Sequence, residues 1–167
     1  MRKSAAALGS AAFFLAAPGT FAGLVPWLIT RWEFPGWTVT GVLGVPLICA
    51  GLVPPIHAFV QFARAGGTPM PATPTDHLVV TGFNRYLRNP MYAGLVVAIA
   101  GQALLFARPG LLLYAAGFWA VTASFVRWYE EPALTRRFGA EYERYRRAVP
   151  AWWPRLRSGQ AKPDLHR

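Results

Sequence analysis

The chain has 167 residues, enough for one domain. It is 54% hydrophobic and 14% charged, with a formal net charge of +10, which is far from an ordinary soluble composition. Long uncharged stretches and arginines crowded into the last third argue against a nucleic-acid-binding domain and for a membrane protein.

The first apolar run covers about residues 5–30. Arg2-Lys3, an Ala-rich stretch and Thr20-Phe21-Ala22 have the form of a signal peptide with a small-residue cleavage site. The run continues through Leu24, Val25, Trp27, Leu28 and Ile29, and Trp27 and Trp32 suit an interfacial belt, which favours a retained anchor. The second run covers residues 38–62. Pro54-Pro55 predicts a kink or break there, because proline removes a helical donor. His57 follows. A histidine at membrane depth would be functional, whereas one near the cytoplasmic interface is only amphipathic, and the second reading is preferred. Cys49, the single cysteine, forms no internal disulfide and reads as a packing residue.

Residues 65–75 are rich in Gly, Pro and Thr and read as a loop. His77 to Gly82 is a short apolar piece, too short to span, expected against the membrane-proximal body. The third and fourth runs cover residues 91–107 and 110–126. Both are at the short end of the roughly 17 to 25 residues that a span requires. Arg108-Pro109-Gly110 breaks them into a helical hairpin. Beyond it, Leu134, Phe138, Tyr142, Tyr145 and Val149 recur at spacings of four, four, three and four, with Arg136, Arg137, Glu143, Arg144 and Arg147 elsewhere. That pattern predicts one amphipathic helix lying on the bilayer or packing on the bundle.

With the N-terminus inside and four spans, every Lys and Arg of the 17 except Arg31 and Arg108 falls on the inner side. This bias puts both termini in the cytoplasm and turns the basic tail toward anionic headgroups. The expected fold is therefore an all-α integral membrane protein of about four transmembrane helices. It includes the TM3–TM4 hairpin and a cytoplasmic C-terminal amphipathic helix.

Two polar, aromatic-rich blocks flank the hairpin: Gly82 to Tyr92 before it and Arg127 to Pro150 after it. Arg127 and Glu131 are four apart and share a face of a continuous helix, where they could form an interfacial ion pair. The adjacent carboxylates Glu130 and Glu131 read as ligands for something polar or cationic, and Pro132 as a place where the helix ends or restarts. His57, His77 and His166 have neither the spacing nor the partners of a metal site, so no metal is expected. Asp76 and Asp164 lie in loop or tail, which leaves serine-histidine-aspartate catalysis without support. There is no glycine-rich phosphate loop. Basic groups, carboxylates and aromatics without an activated nucleophile fit a transferase that positions a reactive cofactor.

The segment Gly82-x-x-Arg85-Tyr86-x-Arg88-Asn89-Pro90-x-Tyr92-x-Gly94 resembles one motif of the isoprenylcysteine carboxyl methyltransferase and phospholipid methyltransferase superfamily of integral membrane enzymes. A second stretch, Glu130-Glu131-Pro132-x-Leu134-x-x-x-Phe138-Gly139-x-Glu141-Tyr142-x-x-Tyr145 with Val149-Pro150, resembles its other motif. The resemblance covers about residues 76–154; upstream it is a matter of hydropathy. It implies S-adenosylmethionine as cofactor and a lipophilic methyl acceptor entering from the bilayer. That acceptor would be a prenylcysteine-like carboxylate, a lipid amine or a thiol. Carried over by position, His77, Leu78, Val79, Arg88, Asn89, Pro90, Met91, Tyr92, Glu130, Glu131, Tyr142 and Tyr145 would bind the cofactor. Glu131 and Arg127 would be catalytic, Arg127 by holding an acceptor carboxylate. Asn84 stands where a tyrosine is usual. Asn89 stands where the prenylcysteine enzymes have histidine and is familiar in bacterial relatives, which implies a bacterial inner membrane. The resulting organisation is a single membrane domain: variable N-terminal helices at 1–75, a methyltransferase core at 76–154 and a basic tail at 155–167. A non-catalytic protein retaining the fold, or a basic membrane-surface scaffold, are the alternatives.

The charge count is testable by topology. In a background where Cys49 is replaced by alanine, cysteines at Arg108 and Ser158 are expected to be labelled from opposite sides of the membrane. Labelling from one side refutes four spans.

Overall fold

The structure is a computed structural model that describes residue 12, residues 16–64, residue 78 and residues 80–154. Among the described residues all regular structure is helical. The helices are α1 (Ala16–Thr30), α2 (Val39–Arg64), α3 (Pro90–Leu105), α4 (Gly110–Phe138) and α5 (Ala140–Ala148), with a short 3₁₀ turn at Gly82–Arg85 before α3. Two stretches, the 22 residues Val39–Val60 and the 29 residues Gly110–Phe138, are long and apolar enough to cross a membrane. The apolar helices α1 and α3 are shorter. At 1.5 Å per residue, the 16 residues of α3 reach about 24 Å, against roughly 30 Å of hydrocarbon.

Local chemistry sets the helix ends. Arg31 and Trp32 adopt left-handed φ values of 52° and 53° and stop α1. Thr38 Oγ1 accepts the Gly41 amide at 3.0 Å and caps α2. Pro90 opens α3, where its missing N–H is no loss. Gly139, at φ 52° and ψ −125°, separates α4 from α5. The single amphipathic helix expected across residues 134–149 is therefore two helices: a glycine takes a backbone conformation that side chains disfavour, and the chain turns there. Nor do the prolines break their helices. The α2 helix runs on through Pro46, Pro54 and Pro55. Pro132 lies just after a wide π turn at Val126–Glu130, where the Glu131 amide already bonds back to Val126 O, and α4 passes through it.

α2 and α3 pack antiparallel along a glycine seam. Gly44 and Gly51 are seven residues apart on α2, and Gly94 and Gly101 seven apart on α3, so each pair lies on one face. A Cβ at Gly44 would lie 2.6 Å from Gly101 O, and one at Gly101 would lie 2.8 Å from Gly44 O. Gly94 lies against Gly51 O, the carbonyl whose helical donor Pro55 lacks. In lipid, where apolar burial does not drive helices together, such backbone contact supplies the attraction.

The buried cluster joins α3 to α4: Leu95, Ile99 and Ala103 meet Leu111, Ala115 and Phe118. α1 docks on these two helices through its own backbone. Pro26 offers no N–H to Ala22 O, and Gln102 Nε2 donates to that carbonyl at 2.8 Å. A π turn sends the Val25 amide to Thr20 O instead of Phe21 O, and Tyr114 OH donates to Phe21 O at 2.9 Å. Both orphaned carbonyls are thus satisfied from neighbouring helices. At the same end, an exposed Arg108–Glu33 pair at 3.0 Å ties the α1–α2 connection to the α3–α4 turn.

The seam predicts a specific sensitivity. Gly94→Ala places a methyl against Gly51 O and 2.8 Å from Pro55 Cδ, and overpacking of this kind costs about 1–3 kcal/mol. Gly117→Ala, with nothing within 4 Å, is expected to be neutral or slightly stabilising. Thermal unfolding in detergent compares them, and equal melting temperatures would refute the seam.

Candidate active site

The polar site gathers where α3 begins and α4 meets α5. Asn89 sits at the start of α3 with φ −120° and ψ 55°, and its side chain does not cap the helix. Instead residues 88–89 run beside residues 150–151. The Arg88 amide donates to Pro150 O at 2.9 Å and the Asn89 amide to Ala151 O at 3.3 Å. Asn89 Nδ2 donates to the same Ala151 O at 3.2 Å. The strand-like pairing sends the Arg88 side chain inward. Its Nη1 donates to Glu131 Oε1 at 2.5 Å and to Tyr142 OH at 3.3 Å.

This Arg88–Glu131 pair is largely withdrawn from solvent, the side chains being 11% and 15% exposed. Removing one partner from such a pair strands the other charge, which is far costlier than losing a surface bridge. Arg146 Nε approaches Glu131 Oε2 at 3.8 Å from the exposed face of α5 and also reaches Glu143 at 3.5 Å. Tyr92 donates a side-chain hydrogen bond to Glu130. Tyr145 OH donates to Asn84 O at 2.7 Å, fastening α5 to the turn before α3. Two buried polar atoms in this cluster, Arg88 Nε and Glu130 Oε2, have no partner among the described residues. Buried unpaired donors and acceptors are costly in a finished fold, so a donor and an acceptor left open together mark a place for a polar ligand.

The expected site residues divide as follows. Arg88, Glu131, Tyr142, Tyr92 and Glu130 are joined by the bonds above, and Tyr142 and Tyr145 lie 6.2 Å apart ring to ring. Pro90 is buried and Met91 half-buried at the start of α3, and Leu78 is half-buried. His77 and Val79 lie outside the described residues. Arg127 is exposed and, among the described residues, makes no ion pair; Glu131 is turned to Arg88 and Arg146 instead. Gly82 has a positive φ of 57°, and the ring of His57 fills the space where a Cβ would stand. His57 also meets Phe83 edge to face at 5.1 Å, so α2 holds the turn that leads into the site.

An apolar groove of about 650 Å³ adjoins this site. Pro54 and Gly51 of α2, Pro90, Ala93 and Val97 of α3, and Trp119 of α4 line it, with Leu87 at the polar end and Trp152 on the C-terminal segment. Trp119 and Trp152 pack edge to face at 6.0 Å. Sequence reasoning missed both: Trp119 looks like any aromatic in an apolar run, and Trp152 follows the Val149-Pro150 motif end. A tryptophan in the middle of an apolar run was the available signal.

A bundle of lipid-compatible helices with a polar site at one end and an apolar groove beside it belongs to an integral membrane protein. Residues 39–141 match the family described as "Phospholipid methyltransferase", and the chain belongs to that family. The match begins at Val39, so it takes in α2 as well as the two motifs. Over 81 residues the chain is 37% identical to a Protein-S-isoprenylcysteine O-methyltransferase of Schizosaccharomyces pombe (strain 972 / ATCC 24843). That stretch covers 47% of this chain and 34% of the relative, so the chain spans about a third of the curated relative it matches.

Burial raises the Tyr145 hydroxyl well above its ordinary 10.0, with Arg88 opposing and Tyr142 adding to the shift. Burial also raises Tyr142, reinforced by Glu131 and opposed by Arg88. Both tyrosines stay protonated in the fold at a pH where an unfolded tyrosine ionises. Their contribution is therefore full below about pH 10 and lost as pH rises above it. Tyr145→Phe is expected to lose about 1 kcal/mol at neutral pH, from the bond to Asn84 O. It should also flatten the alkaline fall in stability. Unfolding followed by circular dichroism from neutral pH to about pH 11 checks both effects, and an unchanged alkaline slope would refute the assignment.

Proposed function

We propose that this chain is an S-adenosylmethionine-dependent methyltransferase acting on a lipophilic acceptor at the cytoplasmic face of a bacterial inner membrane. It crosses that membrane four times, with both termini inside and α5 on the cytoplasmic surface. The observation that carries this reading is the junction at Leu87–Pro90. There Leu87 and Pro90, which line an apolar groove with no charged side chain among the described residues, flank Arg88 of the buried cluster that holds the open donor and open acceptor.

The residues present fit the cofactor. Glu130 Oε2 is an open carboxylate acceptor for an ammonium, a ribose hydroxyl or the field of a sulfonium, and Arg88 Nε is an open donor for a carboxylate. When bound, S-adenosylmethionine supplies the methyl group from its sulfonium. Arg88 and Glu131 fix one another, so the wall they form is set before ligand arrives. Tyr92 holds Glu130 in place, while Tyr142 and Tyr145, with Leu78, Met91 and Pro90, close the pocket against water. By the motif resemblance, Asn89, His77 and Val79 would also bind the cofactor. Arg127, exposed and four residues before Glu131, would orient an acceptor carboxylate, and an amine or thiol acceptor would need to lose a proton that a carboxylate does not carry.

The full chain purified in detergent is expected to bind S-adenosylmethionine saturably in calorimetry. Glu131→Gln or Tyr92→Phe should weaken binding about tenfold, the loss of roughly one charge-assisted contact. No saturable binding by folded protein would sink the proposal. Binding without methyl transfer to any lipid or thiol in a host extract would favour a non-catalytic member of the family.

A further inference from the structure

Two residues that line the groove, Trp119 and Trp152, pack on one another and take no part in the polar site. Trp119 comes from α4, eleven residues before Glu130, which places it about 16 Å from the carboxylates along the helix. Val97, also in the lining, stands seven residues beyond Pro90, about 10 Å further along α3. Trp152, on the segment that follows α5, meets Trp119 edge to face. Among the described residues, that segment has no helix beyond Ala148. It is held by the amides of Arg88 and Asn89 and by the Asn89 side chain, all three bonds reaching Pro150 O or Ala151 O. Asn89 is 7% exposed, and its amide is used on this strap rather than on the cluster around Arg88.

The groove's occupant follows from its walls. Its lining residues come largely from apolar helices, among the described residues they include no charged side chain, and two of them, Leu87 and Pro90, flank Arg88 and Asn89 in the chain. An apolar chain attached to the reacting group satisfies all three. We propose that the Trp119–Trp152 pair, positioned by Asn89 through the strap, sets the size of the apolar chain that a methyl acceptor can carry. This rests on the reading of the chain as a methyltransferase with a lipophilic acceptor. Trp119 and Trp152 are then specificity-determining residues, and Asn89 is a positioning residue that acts through Ala151.

The test uses the full chain in phosphatidylcholine nanodiscs. The probes are straight-chain alkyl amines of increasing length carrying a terminal photoreactive diazirine, with labelled sites mapped by mass spectrometry. In the unaltered protein, labelling of groove residues is expected to fall sharply past one chain length. Trp119→Ala and Trp152→Ala should move that limit to longer chains and raise labelling by the longest probes about tenfold or more relative to the shortest. Trp119→Phe, which keeps a ring, should move the limit less and covers loss of folding in the alanine variant. Asn89→Asp, which keeps the shape but removes the donor to Ala151 O, should broaden the limit without moving it. The same limit in every variant, or labels mapping away from the groove, overturns the proposal. Calorimetry with S-adenosylmethionine on the same samples separates the two readings. A tryptophan-dependent limit without cofactor binding removes the methyltransferase reading, whereas cofactor binding with an unmoved limit removes only the gauge.

Discussion

Four glycines let α2 and α3 touch backbone to backbone, and the geometry of the site descends from that contact. Gly44 faces Gly101 and Gly51 faces Gly94, the same antiparallel register two turns apart. Because the helices are so close, Pro54 and Pro55 lie against the first turns of α3, and His57 comes level with the turn at Gly82. That turn delivers Arg88 and Asn89. A bulkier side chain anywhere on the seam would push α3 away from α2, and the groove between them would change shape before the charged cluster did. Close packing transmits such a shift because the interior has little slack.

Charge at the other wall is arranged as a closed pair beside an open one. Arg88 and Glu131 neutralise each other, which makes their burial tolerable. Among the described residues Glu130 has only the Tyr92 hydroxyl, and Arg88 Nε is unspent. The closed pair supplies rigidity, and the open atoms are left for the ligand proposed above. Division of labour between neighbouring glutamates explains why two in succession are useful where one would be either structural or available.

Much of this architecture is legible in the chain and some of it is not. The apolar runs anticipate α2, α3 and the start of α4 to within a few residues, because lipid exposure makes hydropathy a direct reading of position. The wide turn at Val126–Glu130 and the break at Gly139 escape such a reading, since the spacing of Leu134, Phe138, Tyr142, Tyr145 and Val149 stays helical across them. The glycine spacing of seven is visible in each run, but which glycine meets which is a fact about pairing. Likewise Arg127 is the arginine near Glu131 in sequence, whereas the one that bonds it is 43 residues away. Local patterns expose faces and ends. Partners across the bundle depend on a register that only the packed helices supply.

The attachment of α1 has a different kind of consequence. Gln102 and Tyr114 grip it by the carbonyls of Ala22 and Phe21, groups that every residue type possesses. What the rest of the protein recognises in this helix is a proline at one position and an irregular turn, with Phe21 tilted against Phe118 at 5.2 Å, Ala22 packed on the α3–α4 cluster, and Pro26 and Thr30 buried. Its exposed side chains, Leu24, Leu28 and Ile29 among them, are left to answer to the lipid. Such a helix can drift through many sequences, and be tuned to thicker or thinner bilayers, while its seat in the bundle stays the same.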